Sequence, residues 1–510
     1  MKSFIKIIPA LLLGMPVLLF SQNVNFAEKV LINLYNANGN KIISRPKLEI
    51  TDDKKNAAQF LRMQNTIRIS DKLISICKSF GKDSSAALAL CIGHELAHAY
   101  QLDLLISETS FLAYDKSERS DAQHEEAADI GGGFMAYLAG YKTLDLVEPL
   151  LDKLYTEFKL KSDLKGYPTL EDRKLTSKKV KDVVVNLIQL YELANSLTAI
   201  DKYDYALDCY ESILQRYKGR EIYNNIAVNY ALLAMNINAG NKNQYIYPIE
   251  LDWETRLKKL SKSRGELPTT NETLMRNEYL KKSIEYLEEA KKMDQNFNSA
   301  DLNLMCVNIL ATKSSEVINT INKHFESTDH YLQADDLKKT TQLNLALAIA
   351  YASEGQNEKA KKIWAKIMKE NNGLAGEQAR INLDILEGKS VKNTELNELC
   401  LSFTDTYKNI DGIKIHRVPE AKSWIKINSE ENVFLSIQNL PHSTLYTFKS
   451  DEGYFSLQII RESKKVNIKS LQNARASLVT TNGTYYHCKQ DKYGILLTEN
   501  GKMKEWVKYN

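Results

Sequence analysis

The residues best suited to chemistry in this chain lie in the segment His94-Glu95-Leu96-Ala97-His98, an H-E-x-x-H pattern. On a helix, positions i and i+4 lie one turn apart, so both imidazoles project from one face toward a single metal ion. Glu95 is displaced about 100° around the helix from His94. Its carboxylate is therefore placed to activate a water at the metal rather than to bind the metal itself. The pattern predicts a hydrolytic metal centre.

The alternative is an ordinary amphipathic helix that carries two polar residues on one face. The neighbours argue against it, because they indicate a largely buried helix, and buried histidines need a polar partner. These apolar neighbours are Leu90, Cys91, Ile92, Leu96 and Ala97.

A catalytic zinc ion usually has three protein ligands and one position for water, so a third ligand must come from another segment. The best candidate is Glu125, in a second predicted helix at about 121–138. Asp129 lies one turn later, where it can accept the second N–H of a ligating histidine. His124 is an alternative ligand, and Glu126 is interpreted as a surface charge. A wholly structural interpretation, in which this acidic cluster is only an exposed helix start, is also open.

Three elements must position these residues. A helix that begins near residue 83 or 84 and continues to about 105 carries both histidines. The second helix contains three consecutive glycines, 131–133, which let it pack tightly on the first. Before both, residues 66–70 alternate between apolar and polar and predict a strand. We expect this strand to offer an exposed edge to which an extended substrate adds.

The run H-E-L-A-H at 94–98, followed by E-E-A-A-D-I-G at 125–131, resembles the gluzincin metallopeptidases of the HtpX and CAAX-prenyl-protease family. The lead-in at 66–90 and Ala139-Gly140-Tyr141 after the second helix are also similar to that family. The resemblance covers about residues 60–180.

The resemblance implies one Zn²⁺ bound by His94, His98 and Glu125, with Glu95 as the catalytic base and Asp129 in support. One departure concerns a His-Pro pair that the family often carries, followed by an arginine a few residues later. Here Tyr167-Pro168 stands in its place, and Arg173 follows. Arg173 can support the site, whereas the role of the missing histidine is lost or passes to Tyr167.

The first residues predict a secretory signal peptide at 1–22. Lys2 and Lys6 precede an apolar run at 7–20, and polar sequence follows from Ser21. An uncleaved signal anchor is the alternative. No later stretch reaches the roughly 18 apolar residues that a membrane span requires. We therefore expect an exported protein, periplasmic or secreted, without a transmembrane span in the mature chain.

Residues 181–395 predict α-helices with an inserted loop near 240–272. Two segments carry matching residues at offsets 0, 3, 12 and 16, and these offsets resemble the 34-residue tetratricopeptide repeat. An irregular helical bundle is the alternative. The matching residues are Ala194, Leu197, Ala206 and Tyr210 in the first segment, and Ala348, Tyr351, Ala360 and Trp364 in the second.

The remaining sequence completes a mixed α+β chain. Residues 23–180 predict a mostly helical, zincin-like metallopeptidase domain, and short β-branched runs after 396 predict a small β-rich domain at 396–510. With 68 basic and 64 acidic residues, the net charge of +4 gives no reason to expect nucleic-acid binding.

Signal, peptidase motif and repeats together resemble the soluble, periplasmic BepA-like branch of the family. This resemblance implies a zinc endopeptidase that acts on envelope or secreted proteins, with the repeats recruiting protein substrates or envelope partners. The alternative is a chaperone or assembly scaffold built on the repeats, with minor or conditional peptidase activity.

Overall fold

The computed structural model describes most of the chain as a mixed α+β protein, which confirms the predicted class. Within the described residues it contains fourteen α-helices, α1 to α14, and fifteen strands, β1 to β15. Two compact units are present, residues 1–190 with 215–219, and residues 191–214 with 220–510. The described residues are 8–54, 56–101, 108–110, 119–160, 169–237, 244–252, 255–257, 268–327, 334–371, 373–389, 423–428, 432–451, 453–461, 464–465, 478–480, 483–488, 492–497 and 502–510.

The first unit combines helices with a four-stranded sheet of order β1-β3-β2-β4. Strand β1 is parallel to β3, and β2 is antiparallel to both β3 and β4. Its elements are α1 (Ile8–Asn38), β1 (Lys47–Thr51), β2 (Ala58–Leu61), β3 (Thr66–Ser70), α2 (Asp71–Lys78), α3 (Ser84–Tyr100), β4 (Glu108–Ser110), α4 (Arg119–Leu138), α5 (Val147–Glu157) and the first part of α6 (Leu170–Ala199).

Strand β3 is confirmed where the alternation predicts it, but the expectation that it offers an exposed edge is wrong. It pairs with β1 on one side and with β2 on the other. Ile67 and Ile69 are fully buried, and the side chain of Ser70 accepts a hydrogen bond from the Leu73 amide to start α2. Alternation marks a strand but does not show its place in the sheet. In the described part of the chain, the edges of this sheet are β1 and β4.

Helix α1 continues through the end of the predicted signal peptide at residue 22. Beyond that point its apolar residues recur at helical spacing and are buried, namely Ala27, Val30, Leu31 and Leu34. The helix packs against α3 and α4, so the buried face of residues 23–38 contributes to the core of the first unit. None of the helices, over the residues described, is both long and apolar enough to cross a membrane. The signal peptide itself stays a prediction.

Helices α3 and α4 match the two helices predicted to carry the candidate site. Helix α3 starts at Ser84 and ends at Tyr100, five residues before the predicted end, and α4 starts at Arg119. They approach backbone to backbone at Gly93 and Gly132. A Cβ added at Gly132 would lie 2.6 Å from the Gly93 carbonyl carbon and 2.7 Å from the His94 amide nitrogen. The tight packing predicted from the glycines is therefore present.

The second unit contains helices that pack consecutively from α7 to α14. The small and aromatic residues at the repeat offsets are buried, and Gly355 adopts a left-handed φ of 73° at the turn between α12 and α13. The helices are α7 (Tyr203–Leu214), α8 (Arg220–Asn236), α9 (Thr270–Met293), α10 (Asn298–Leu310), α11 (Ser314–Ser327), α12 (Ala334–Ser353), α13 (Asn357–Glu370) and α14 (Leu374–Leu386).

Short runs of sequence after residue 396 form strands in the sheet of the second unit, among them β7, β8, β10 and β14. The sheet also takes up β5 and β6 from the connection between α8 and α9, so it is not confined to residues after 396. Its order is β5-β6-β12-β13-β14-β15-β10-β9-β8-β7, and β11 pairs with β15. The strands are β5 (Glu250–Asp252), β6 (Thr255–Leu257), β7 (Ile425–Asn428), β8 (Val433–Asn439), β9 (Ser443–Ser450), β10 (Gly453–Ile460), β11 (Lys464–Lys465), β12 (Leu478–Thr480), β13 (Gly483–Cys488), β14 (Tyr493–Leu497) and β15 (Lys502–Tyr509).

The glycine contact makes a stability prediction. We expect Gly132→Ala to destabilise the protein by about 1–3 kcal/mol, because the new methyl group meets backbone atoms that cannot move aside. Gly131→Ala is the matched control, since its Cβ would meet only the Ala97 Cβ at 3.6 Å, an ordinary contact. Thermal unfolding monitored by circular dichroism measures both. Equal melting temperatures for the two variants would show that the helices tolerate a wider spacing.

Candidate metal centre

Three metal-binding side chains meet between α3 and α4. His94 and His98 come from consecutive turns of α3, and Glu125 comes from α4. Each offers one ligand atom, and these atoms lie within 4.8 Å of one another. All three residues are buried, with exposed fractions of 1%, 0% and 7%. The structure thus brings together the ligand set that the sequence predicts.

The spacing of the three ligand atoms suits a small divalent ion. Glu125 places its carboxylate oxygens 3.2 Å from the Nε2 atoms of His94 and His98, and the two Nε2 atoms are 3.0 Å apart. Bonds of about 2.0–2.1 Å in a tetrahedral site put neighbouring ligand atoms about 3.3 Å apart. An ion of that size fits with shifts of a few tenths of an ångström. Imidazole and carboxylate donors suit zinc and related divalent metals.

The tautomer of His98 is set by a residue that the sequence analysis missed. Its Nδ1 lies 2.8 Å from Oε1 of Gln101, and the Gln101 amide nitrogen donates to the backbone carbonyl of His124 at 2.9 Å. This second bond turns the amide oxygen toward the ring, so Nδ1 of His98 carries the proton. The lone pair of Nε2 then faces Glu125. Gln101 stands three residues after His98, a spacing at which helical side chains meet, and that spacing is the signal in the sequence.

The tautomer of His94 is set by Asp129 and Arg173. The Nδ1 atom lies 2.7 Å from Oδ1 of Asp129. Arg173, buried in α6, holds both carboxylate oxygens of Asp129 at 3.0 and 3.1 Å. This two-point ion pair fixes the carboxylate, and the carboxylate fixes the ring. The Nε2 lone pair of His94 therefore also points at the shared centre.

Without an ion, this arrangement retains a proton. Burial disfavours the charged form of His94, but Asp129 and Glu125 outweigh it and raise the pKa of His94 to about 10. Burial opposes the charge of Glu125 as well, yet its close contacts with the two histidines, with His94 first, hold its pKa well below the usual value. Against its own burial, the pKa of Asp129 is lowered chiefly by Arg173. The centre demands positive charge, which either a proton or a metal ion supplies.

The remaining candidates fall in different places. Glu95 is fully buried on α3, beside the first histidine. His124 is half-buried and serves through its backbone carbonyl, whereas Glu126 is exposed. Tyr167 lies outside the described residues. A further residue that sequence reasoning missed is Arg62, which donates to the His98 carbonyl at 2.8 Å and carries no recognisable motif.

Comparisons with known proteins add no family. None of the protein-family models matches the chain, and a search of curated proteins gives no significant match. The functional interpretation therefore depends on the geometry of the centre itself.

The ligand assignment makes a prediction about metal content. We expect Glu125→Ala to lose its metal on purification, because it leaves two ligands, and Asp129→Ala to bind roughly 10–100-fold more weakly. Glu126→Ala is the control, since this exposed neighbour on α4 should retain wild-type metal. Elemental analysis and competition with a chelating dye measure content and affinity. Equal metal in Glu125→Ala and wild type would remove Glu125 from the ligand set.

The raised pKa of His94 predicts proton release. At pH 7.5 the metal-free protein carries the proton, since that pH is below about 10. Metal binding requires the neutral ring, so about one proton should leave per ion, and affinity should rise with pH toward 10. Titration calorimetry with zinc in buffers of different ionisation enthalpy counts the protons. The number of protons released per ion should drop in Asp129→Asn, which removes the charge facing His94. A binding enthalpy that does not depend on the buffer in the wild type would show that metal-free His94 carries no proton at this pH.

Proposed function

We propose that the protein is a zinc-dependent endopeptidase whose metal is held by His94, His98 and Glu125. The observation that carries this proposal is the convergence of three buried ligand atoms, two of them from the helix that also carries the buried Glu95. Structural metal sites usually close the metal with four protein ligands, whereas catalytic sites keep one position for water. Three ligands with an adjacent Glu95 support the catalytic type.

The protein residues divide the work of hydrolysis. A zinc ion held by His94, His98 and Glu125 would supply Lewis-acid polarisation and would lower the pKa of a water to about 7. Glu95 accepts the proton of the attacking water and returns it to the leaving amine. Asp129 holds His94 in one tautomer, and Arg173 keeps Asp129 ionised and in place. Gln101 holds His98 in one tautomer.

The fold details support a zincin-like domain of the gluzincin type. The H-E-x-x-H helix α3 packs on α4, and α4 carries Glu125 and Asp129 one turn apart. A small sheet lies against α3. Buried residues at the repeat offsets support tetratricopeptide-type helix pairs in the second unit. We propose that these helices recruit protein substrates or envelope partners, and that the signal sequence directs the protein to the periplasm or outside the cell.

The proposed base is tested with Glu95→Gln. We expect metal content to stay at the wild-type level while kcat on an unfolded protein such as casein falls roughly 10²–10⁴-fold, because only the proton acceptor is lost. A chelator should abolish wild-type activity, and added zinc should restore it. Glu148→Gln, an exposed glutamate on α5, is the control for the substitution itself.

Two results would decide against hydrolysis at this centre. A wild-type kcat in Glu95→Gln would exclude Glu95 as the base. Activity that survives complete metal removal would exclude a role for the ion in catalysis. If the purified, metal-loaded protein cleaves no protein substrate yet binds unfolded ones, the chaperone or scaffold alternative becomes the better description.

A further inference from the structure

The connection between α8 and α9 enters the interior of the second unit. Loops normally run over the surface, because a buried irregular backbone needs partners for its polar groups. Here residues 245–251 are buried, although regular strand structure begins only at Glu250. The apolar side chains are at most 3% exposed, and they are Tyr245, Ile246, Tyr247, Ile249 and Leu251.

Two asparagines bind the backbone of this segment through both the oxygen and the nitrogen of their side-chain amides. Asn382 from α14 accepts a hydrogen bond from the Ile246 N–H at 2.7 Å and donates to the carbonyl of the same residue at 3.0 Å. Asn303 from α10 repeats the arrangement on Glu250, accepting at 2.8 Å and donating at 2.6 Å. Each amide thus binds the donor and the acceptor of one peptide residue, independently of its side chain.

A third asparagine contacts the segment and is hydrogen-bonded to Asn303. Asn224 from α8 donates to the Glu250 carbonyl at 3.1 Å, also bonds the Leu251 carbonyl, and accepts from Asn303 at 2.8 Å. Pro248 has no N–H and so needs no acceptor. Ile246 and Glu250, each bound at both its N–H and its carbonyl, are four residues apart. In an extended chain, residues an even number apart direct their backbone groups to the same side.

These asparagines are almost completely buried, at 0–1% exposure. A buried amide without partners is costly, whereas apolar residues at the same positions would pack a helical unit without any need for the segment. Amides that bind backbone groups suit any extended peptide of the right spacing. The side chains of the segment add a preference for particular residue types. The ring centroids of Tyr245 and Trp364 are 5.7 Å apart, and Ser299 donates to the Glu250 carboxylate at 3.2 Å.

We propose that the groove between α8, α10 and α14 is a binding site for an extended peptide, that residues 245–251 are its resident occupant, and that an extended segment of a partner protein exchanges with them. The fitting partner is rich in aromatic and aliphatic residues and has an acidic residue at the place of Glu250. The groove lies within the second unit, and the proposal rests on the proposed recruitment of protein partners by these helices but not on the proposed hydrolysis.

The test excises the occupant after folding. Protease sites are inserted after residues 240 and 260 of the full chain, so that folding takes place with the segment bound. After cleavage, a fluorescent peptide of residues 244–252 is added, and exchange is followed by anisotropy. We expect saturable binding of this peptide and none of a scrambled one, with helical circular dichroism retained.

The asparagine contacts are tested from both sides. Asn303→Ala and Asn382→Ala should each weaken binding of the peptide about tenfold or more, because both hydrogen bonds of an amide are lost. Asn308→Ala is the control, five residues further on α10 and so about 140° around the helix. Peptides with an ester in place of the amide at Ile246 or Glu250 lose only the N–H, need no protein variant, and should also bind more weakly.

Two outcomes would overturn the proposal. If the excised segment does not exchange, or if its release unfolds the helices, residues 245–251 are a permanent part of the core. If the peptide exchanges but the ester peptides and the asparagine variants bind as tightly as their parents, the asparagines do not recognise it.

Discussion

The candidate metal centre depends on the direct backbone contact between α3 and α4. At Gly93 and Gly132 the helices come so close that no side chain fits between them. Glu125 and Asp129 stand seven and three residues before Gly132, so the contact brings their carboxylates to the rings of His94 and His98. Carboxylates are short, and a wider helix spacing would take them out of reach. A glycine without any chemistry of its own therefore sets the geometry of the chemical residues.

Charge balance explains why such a cluster can be buried at all. Glu125, Asp129 and Arg173 bring two carboxylates and one guanidinium into the interior, beside the two imidazoles. Isolated buried charges are strongly unfavourable, and pairing or a metal ion is the usual remedy. A proton on His94 or a metal cation neutralises the negative charge that remains. The network from Arg173 through Asp129 to His94 thus favours a cation at the shared centre.

Sequence reasoning succeeded where the pattern is local and failed where the partner is distant. The i and i+4 spacing located His94 and His98, and again Glu125 and Asp129, because helical geometry alone sets which faces they share. The edge position of β3 was predicted wrongly, since strand order depends on pairings between remote segments. Gln101 was missed although its spacing from His98 is local, because amides carry little prior weight as supports of a metal site.

The burial of residues 245–251 shows the same limit in another form. Their sequence, with two tyrosines, two isoleucines and a proline, stands within a polar stretch and resembles an insertion. Only asparagines on three separate helices reveal that the backbone is bound, and no periodicity within the segment could indicate those helices. Polar side chains in a protein interior are therefore the most informative residues in both units. In the first they are charged and converge on one point, which suits an ion, and in the second they are neutral amides spaced along a line, which suits a peptide backbone.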